Sequence, residues 1–316
     1  MSHADDLTPA GPVGAVQEGR GESDLLARLA PGIFLLFWSG GFAAGKFGVH
    51  DTGPMTFLAL RYGLVLLVLL PLLLVMRPPL PRTTAEWVNL AVVGFLIQGL
   101  YFSLGYIALS TNISTALVAL IGSLQPIVVA LAAPKLTGER VGRMGWMGLL
   151  LGLSGAAIVI LARSAVETIS TLGIIASFGA LAGMSAGTLY EKRFGVSQHP
   201  VTANTVQYAA GLGLTLPLAL LFDDQGITWT PSFAIALAYL VICNSLIALT
   251  LLLMMIRRGE VSRVSALFFL VPPMAAIIGW VLLGEQMPAL AWVGLALAAI
   301  GVALVTNRLP AIARRR

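Results

Sequence analysis

Apolar and polar residues are segregated along this chain into long blocks. Cutting it at charges and prolines leaves apolar stretches of roughly 20 residues, each long enough to cross ~30 Å of hydrocarbon as a helix. Backbone groups in lipid must be satisfied internally, and barrel strands would alternate in polarity, so helices are the expected form. The pattern predicts an all-α integral membrane protein with spans at about 30–49, 55–76, 87–108, 112–133, 143–162, 170–190, 201–222, 232–256, 262–283 and 289–306. Only Ser110, Thr111 and Asn112 separate the third span from the fourth.

The pattern repeats at an offset of 146 residues. Ser39 meets Ser185, Gly41 meets Gly187, Lys46 meets Lys192, Tyr62 meets Tyr208 and Trp146 meets Trp292. Pro54, Pro71 and Pro126 meet Pro200, Pro217 and Pro272, and Gly138-Glu139 meets Gly284-Glu285. Leucine or alanine matches arise by chance in so apolar a chain; prolines, tyrosines and tryptophans at one offset do not. The expected organisation is a disordered cytoplasmic tail (1–29), a first five-helix repeat (30–162), a second (170–306) and a basic tail (307–316). Five is odd, so the second repeat enters the membrane from the opposite side. Inverted repeats of this kind give many transporters two related access states.

Composition agrees: 58% of residues are hydrophobic and 10% charged, against about 25% charged in a soluble domain. The basic balance invites a nucleic-acid partner, and its distribution excludes one. With the N-terminus inside, 16 of the 19 Lys and Arg fall on the cytoplasmic side and one, Arg163, on the other; Lys46 and Arg61 lie within spans. That bias predicts a multi-pass protein of the cytoplasmic (inner) membrane with both termini in the cytoplasm. The N-terminal segment lacks the basic region and cleavage site of a signal peptide. The single cysteine, Cys243, excludes an internal disulfide and a cysteine metal cluster.

The stretches FWSGGFAAGKFGVHDTGP (37–54) and LALRYG (58–63) resemble the opening of drug/metabolite transporter superfamily proteins of the EamA type. LIGSLQPIVVALAAPKLTGERVGRMGWMGLLLGLSG (120–155) is similar to that family's closing half-domain segment, and FLVPPMAAIIGWVLLGEQMPALAWVGLALAAIG (269–301) is its second copy. The resemblance covers roughly residues 30–306. It implies a cytoplasmic-membrane permease, often an exporter, for amino acids, other metabolites or toxic compounds. One branch comprises the YddG-type exporters of amino acids, and the shared residues do not place the chain within it.

Candidate chemistry is sparse. Intramembrane charge costs about 2.5–3.5 kcal/mol on insertion scales, which marks Arg61 and Lys46 for scrutiny. Lys46 can snorkel to the outer interface. Arg61 is either a structural anchor on helix-end carbonyls or a contact for a substrate carboxylate. Gln98, Tyr101, Phe102 and Gly105 share one helical face, and Gln98 maps onto Asn244; the two amides are expected to line a central cavity, with interhelical bonding as the alternative. Trp38, Tyr62, Tyr208 and Phe268 supply a partly aromatic wall. Pro126, Pro272 and Pro273 interrupt the fourth and ninth spans at matching places, which points to Ser123 and Gln125 as binding residues. Gly41 and Gly187 are candidate hinge or sliding positions. Glu139 and Glu285 precede helix starts, where a carboxylate complements the dipole.

No span carries Asp or Glu near its middle, and no phosphate loop, zinc-binding helix or nucleophile elbow is present. No cofactor or metal is expected, and the protein reads as a non-enzyme. Its partners are a small-molecule substrate and the lipid bilayer; the sequence specifies no oligomeric state. The leading reading is an exporter of amino acids or related solutes. The alternatives are an exporter of lipophilic or toxic compounds, and an integral membrane enzyme acting on lipid-linked substrates.

Overall fold

The computed structural model describes residues 14–111, 118, 121–163, 170–195, 198–224, 226–259, 261–283 and 288–307. Asn112, Gly284-Glu285 and the basic tail from 308 lie outside the described residues, as do residues 1–13 of the expected disordered tail. From Gly14 onward that tail is helical and runs into the first span, continuing the register through helix formers such as Ala15, Gln17, Leu25 and Ala27.

The described elements are all helical. They are α1 (Gly14–Asp51), α2 (Pro54–Met76), α3 (Thr84–Ser110), α4 (Gln125–Leu136), α5 (Arg143–Arg163), α6 (Thr171–Phe194), α7 (Pro200–Phe222), α8 (Pro231–Arg258), α9 (Val261–Leu283) and α10 (Ala289–Asn307). Among the described residues nine helices are long and apolar enough to cross a membrane, and Gln125–Leu136 is a shorter apolar helix. The protein is thus an all-α, multi-span membrane protein.

Helix starts are legible locally. Pro54, Pro200 and Pro231 occupy first-turn positions, where the missing N–H costs nothing. Thr83, Ser170 and Thr230 accept from the backbone N–H of Glu86, Gly173 and Phe233. Arg77 ends α2 in the left-handed conformation (φ 44°), and its N–H reaches Leu73 O.

Two pairs of helices flank the bundle. α5 lies along α10 and α2 along α7. The first pair touches backbone to backbone: a Cβ added at Gly148 would lie 2.7 Å from Gly301 O, and one at Gly155 would lie 2.5 Å from Gly294 O. Leu67, Val75, Leu220, Phe222, Leu150 and Val293 on these four helices are exposed. Such apolar belts suit hydrocarbon, where no polar group is left unsatisfied.

Four of the interior helices are not regular, whereas α1 and α6 run unbroken. α3 contains a π segment at Phe95–Tyr101 and α8 one at Leu240–Leu249. α9 breaks at a 3₁₀ turn, Leu267–Leu270, directly before Pro272-Pro273, and α4 starts after a turn at Ser123-Leu124 with Pro126 in its first turn. The prolines thus break the helices where the sequence places them. Two ends of the bundle can be distinguished. The acidic end carries Asp51, which accepts from Thr230 (2.6 Å), and Asp223, which accepts from Thr56 N (2.7 Å). The basic end carries Lys192 and Arg257.

Candidate functional site

A cavity of about 80 Å³ lies between α1, α3, α4, α6, α8 and α9. Its wall runs from the mid-helix residues Trp38 and Asn244 and the first residue of α4, Gln125, to Leu109 and Ser177, near where α3 finishes and α6 begins at the acidic end. On the basic side the helices are tied. Arg257 of α8 pairs with Glu191 of α6, and Lys192 donates to Gly259 O. Glu139 accepts from Val261 N (3.1 Å) and Ser262 N (3.4 Å) at the start of α9.

Seven of the predicted binding residues form this wall: Trp38, Tyr101, Phe102, Ser123, Gln125, Asn244 and Phe268, joined by Gly41 and Pro272. Trp38 stacks on Tyr101 (6.2 Å, 13°) and meets Phe268 edge-on (5.6 Å). Gly41 is small because Asn244 needs its space: an added Cβ would stand 2.5 Å from Asn244 Nδ2.

Arg61 is not on the wall. It is fully buried one layer behind, and its guanidinium lies 4.4 Å from the Phe102 ring. Nε donates to Ser245 Oγ (2.8 Å), Nη1 to Tyr106 OH (3.1 Å) and Nη2 to Asn244 Oδ1 (2.7 Å). These are side chains of α8 and α3, so the expected anchor on helix-end carbonyls is corrected. No carboxylate among the described residues pairs with it. The arrangement has a consequence for the wall. Tyr106 accepts from Arg61, so its own proton is free to point elsewhere, and Asn244 keeps its oxygen toward Arg61 and its Nδ2 toward Phe37 O (3.4 Å) and the cavity.

Gln125 supplies the opposite polarity. Its Nε2 donates to Ser265 Oγ (3.3 Å) and Thr188 Oγ1 (3.5 Å), while its buried Oε1 has no hydrogen-bond partner. Gln125→Leu removes that unpaired oxygen along with two long bonds. The expected result is a melting transition in detergent that changes by no more than about 1 kcal/mol. A loss of several kcal/mol would mean that Oε1 is held by the protein.

Gln98, Tyr62 and Tyr208 lie elsewhere. They are fully buried at the contact of α2, α3 and α7: Tyr62 donates to Gln98 O (2.7 Å) and its ring meets Tyr208 at 5.4 Å. The expected shared face fails because the π segment inserts extra backbone between Gln98 and Phe102, turning Gln98 toward Gly211 while Tyr101 and Phe102 face the cavity. Pro126 and Pro273 shape helix starts off the wall, and Gly187 packs on Ile97. Lys46 is exposed. Sequence reasoning missed Tyr106, Ser177 and Met184. Tyr106 was findable, one turn beyond Phe102; on α6, Ser177 and Met184 are not distinguished by type or spacing from the other small and apolar residues around them.

Residues 32–161 and 171–307 each match the EamA-like transporter family. The chain is 23% identical over 273 residues to the uncharacterized inner membrane transporter YedA of Escherichia coli, covering 86% of this chain and 87% of that one. It is 26% identical over 302 residues to the uncharacterized transporter sll0355 of Synechocystis, covering 90% and 89%. A probable amino-acid metabolite efflux pump of Salmonella typhimurium is 24% identical over 283 residues, covering 85% and 91%. A solved crystal structure superposes with a TM-score of 0.73 at 20% identity over 89% of this chain and 97% of its own, which shows the same fold. The chain therefore belongs to the EamA-like transporter family: it is a multi-span transporter of small molecules and not an enzyme.

Proposed function

We propose that the chain is an alternating-access carrier of the cytoplasmic membrane that exports amino acids or closely related solutes, with both termini in the cytoplasm. Its units are two inverted five-helix repeats, 30–162 and 170–306. Contacts between repeat mates support this reading. Tyr62 meets Tyr208, and Gly148 faces Gly301 while Gly155 faces Gly294, a pairing that is unchanged when the halves are exchanged. The π segments also coincide at the repeat offset. In this reading the tied basic end is the closed cytoplasmic gate, and the cavity faces outward.

The observation that carries the substrate class is the polarity of the wall. Tyr106 and Asn244, backed by a buried cation, present donors on one side, and Gln125 Oε1 presents an unpaired acceptor on another. A carboxylate suits the first and an ammonium the second, while Trp38, Tyr101 and Phe268 receive a side chain. The efflux pump named among the relatives accords with this. The competing reading, export of lipophilic compounds, draws on the apolar part of the wall, including Leu181, Met184 and Val271.

The test is counterflow in proteoliposomes with a panel of labelled amino acids. One or more should accumulate, and Asn244→Ala should lower the rate about tenfold or more through loss of one hydrogen bond to a charged group. No counterflow for any member, with correctly inserted protein, would sink the amino-acid assignment and favour the lipophilic class.

A further inference from the structure

A second and separate pocket of about 360 Å³ lies at the basic end, between the end of α6, the start of α7 and the end of α8. It shares no lining residue with the central cavity. Its chemistry is organised around one incomplete ion pair. Arg257 donates through Nε to Glu191 Oε1 and through Nη1 to Gln198 O (3.3 Å). A side-on arginine–carboxylate pair ordinarily closes with a second bond. Here it does not: Arg257 Nη2 and Glu191 Oε2 are both buried without a hydrogen-bond partner, and so is Gln198 Oε1. Glu191 itself is 1% exposed. Lys192 and Arg258 complete the basic lining.

The leftover atoms are thus one cationic donor and two acceptors, one of them a carboxylate, held together by the bonds just named. Leaving such groups unpaired is unfavourable, and more so where they are charged. A simple anion would satisfy Arg257 and be repelled by Glu191 Oε2. A simple cation would meet three basic side chains. We propose that this pocket is a second binding site, for a zwitterionic group bearing an anionic oxygen and an ammonium with N–H donors. The anion sits on Arg257 Nη2 near Arg258 and Lys192, and the ammonium sits between Glu191 Oε2 and Gln198 Oε1. Two sources share this chemistry: a free amino acid, and the phosphoethanolamine headgroup of a membrane lipid.

The site is tested by binding, independently of transport. Full-length protein in phosphatidylcholine nanodiscs is titrated with L-alanine, O-phosphoethanolamine and phosphocholine. In parallel, native mass spectrometry counts phosphatidylethanolamine retained from mixed nanodiscs. Because phosphocholine has no N–H, it should bind about tenfold more weakly than O-phosphoethanolamine. Saturable binding of a soluble zwitterion that displaces retained lipid identifies a solute site; retained phosphatidylethanolamine without soluble binding identifies a headgroup site. Glu191→Gln and Gln198→Ala should each weaken whichever binds by about tenfold or more. Gln198→Ala leaves the ion pair intact and carries the test alone if Glu191→Gln does not fold. Equal binding of phosphocholine, no binding at all, or binding indifferent to Gln198→Ala overturns the proposal and leaves a pocket holding water only.

Discussion

Arg61→Lys is expected to abolish counterflow although the positive charge is kept. The planar guanidinium reaches three acceptors, from Ser245, Tyr106 and Asn244, at 2.7–3.1 Å. A lysine ammonium is a point charge on a flexible stem, and its donors diverge tetrahedrally instead of forming a planar fork. At least one buried acceptor is then orphaned, at about 1–3 kcal/mol. Asn244 and Tyr106 also lose the bonds that fix which of their atoms face the cavity. A misplacement of about 1 Å in a positioned group can lower a rate by about 10². Arg61→Met orphans all three acceptors, Ser245 Oγ, Tyr106 OH and Asn244 Oδ1, so its melting should fall further than that of Arg61→Lys, offset only in part by removal of the buried charge. Counterflow should be lost as well. Retention of half the wild-type rate in Arg61→Lys would show that the charge alone matters and that the directional bonds do not.

Gly155→Val should prevent assembly of a stable bundle. A Cβ at this position would stand 2.5 Å from Gly294 O, and the obstacle is backbone, which cannot rotate aside. α5 and α10 would have to separate, losing dispersion contacts along their whole length. Overpacking costs about 1–3 kcal/mol for modest insertions, and valine adds two methyl groups beyond the Cβ. Gly63→Ala is the matched control, since nothing lies within 4 Å of its added Cβ. Alanine there should be neutral or favourable by up to about 1 kcal/mol. Size-exclusion chromatography of fluorescently tagged protein after heating reads both. A Gly155→Val protein that survives heating like the wild type would contradict the close approach of α5 and α10.

The sequence by itself determined the helical membrane fold, because block length and polarity are properties of the chain that lipid reads directly. It also indicated where α4 and α9 break, since Pro126 and Pro272 each remove a backbone donor within a span, although Pro71 and Pro217 are carried inside continuous helices. Arg61 stood out because a charge is rare in a span. What it faces was decided by the tertiary structure: its acceptors come from residues 106, 244 and 245, far along the chain. The tertiary structure also separated Gln98 from Asn244. Reading both as cavity residues assumes a constant helical period, and the π segments break that period where these amides sit. The repeat does not restore their equivalence. Arg61 corresponds to Gln207, so the α2–α8 contact is closed by a guanidinium, whereas the amides of Gln98 and Gln207 make no hydrogen bond within the protein. The basic-end pocket was equally hidden. Glu191, Gln198 and Arg257 are unremarkable residues near helix ends, and only the packing of α6, α7 and α8 buries them together with one donor and two acceptors left over.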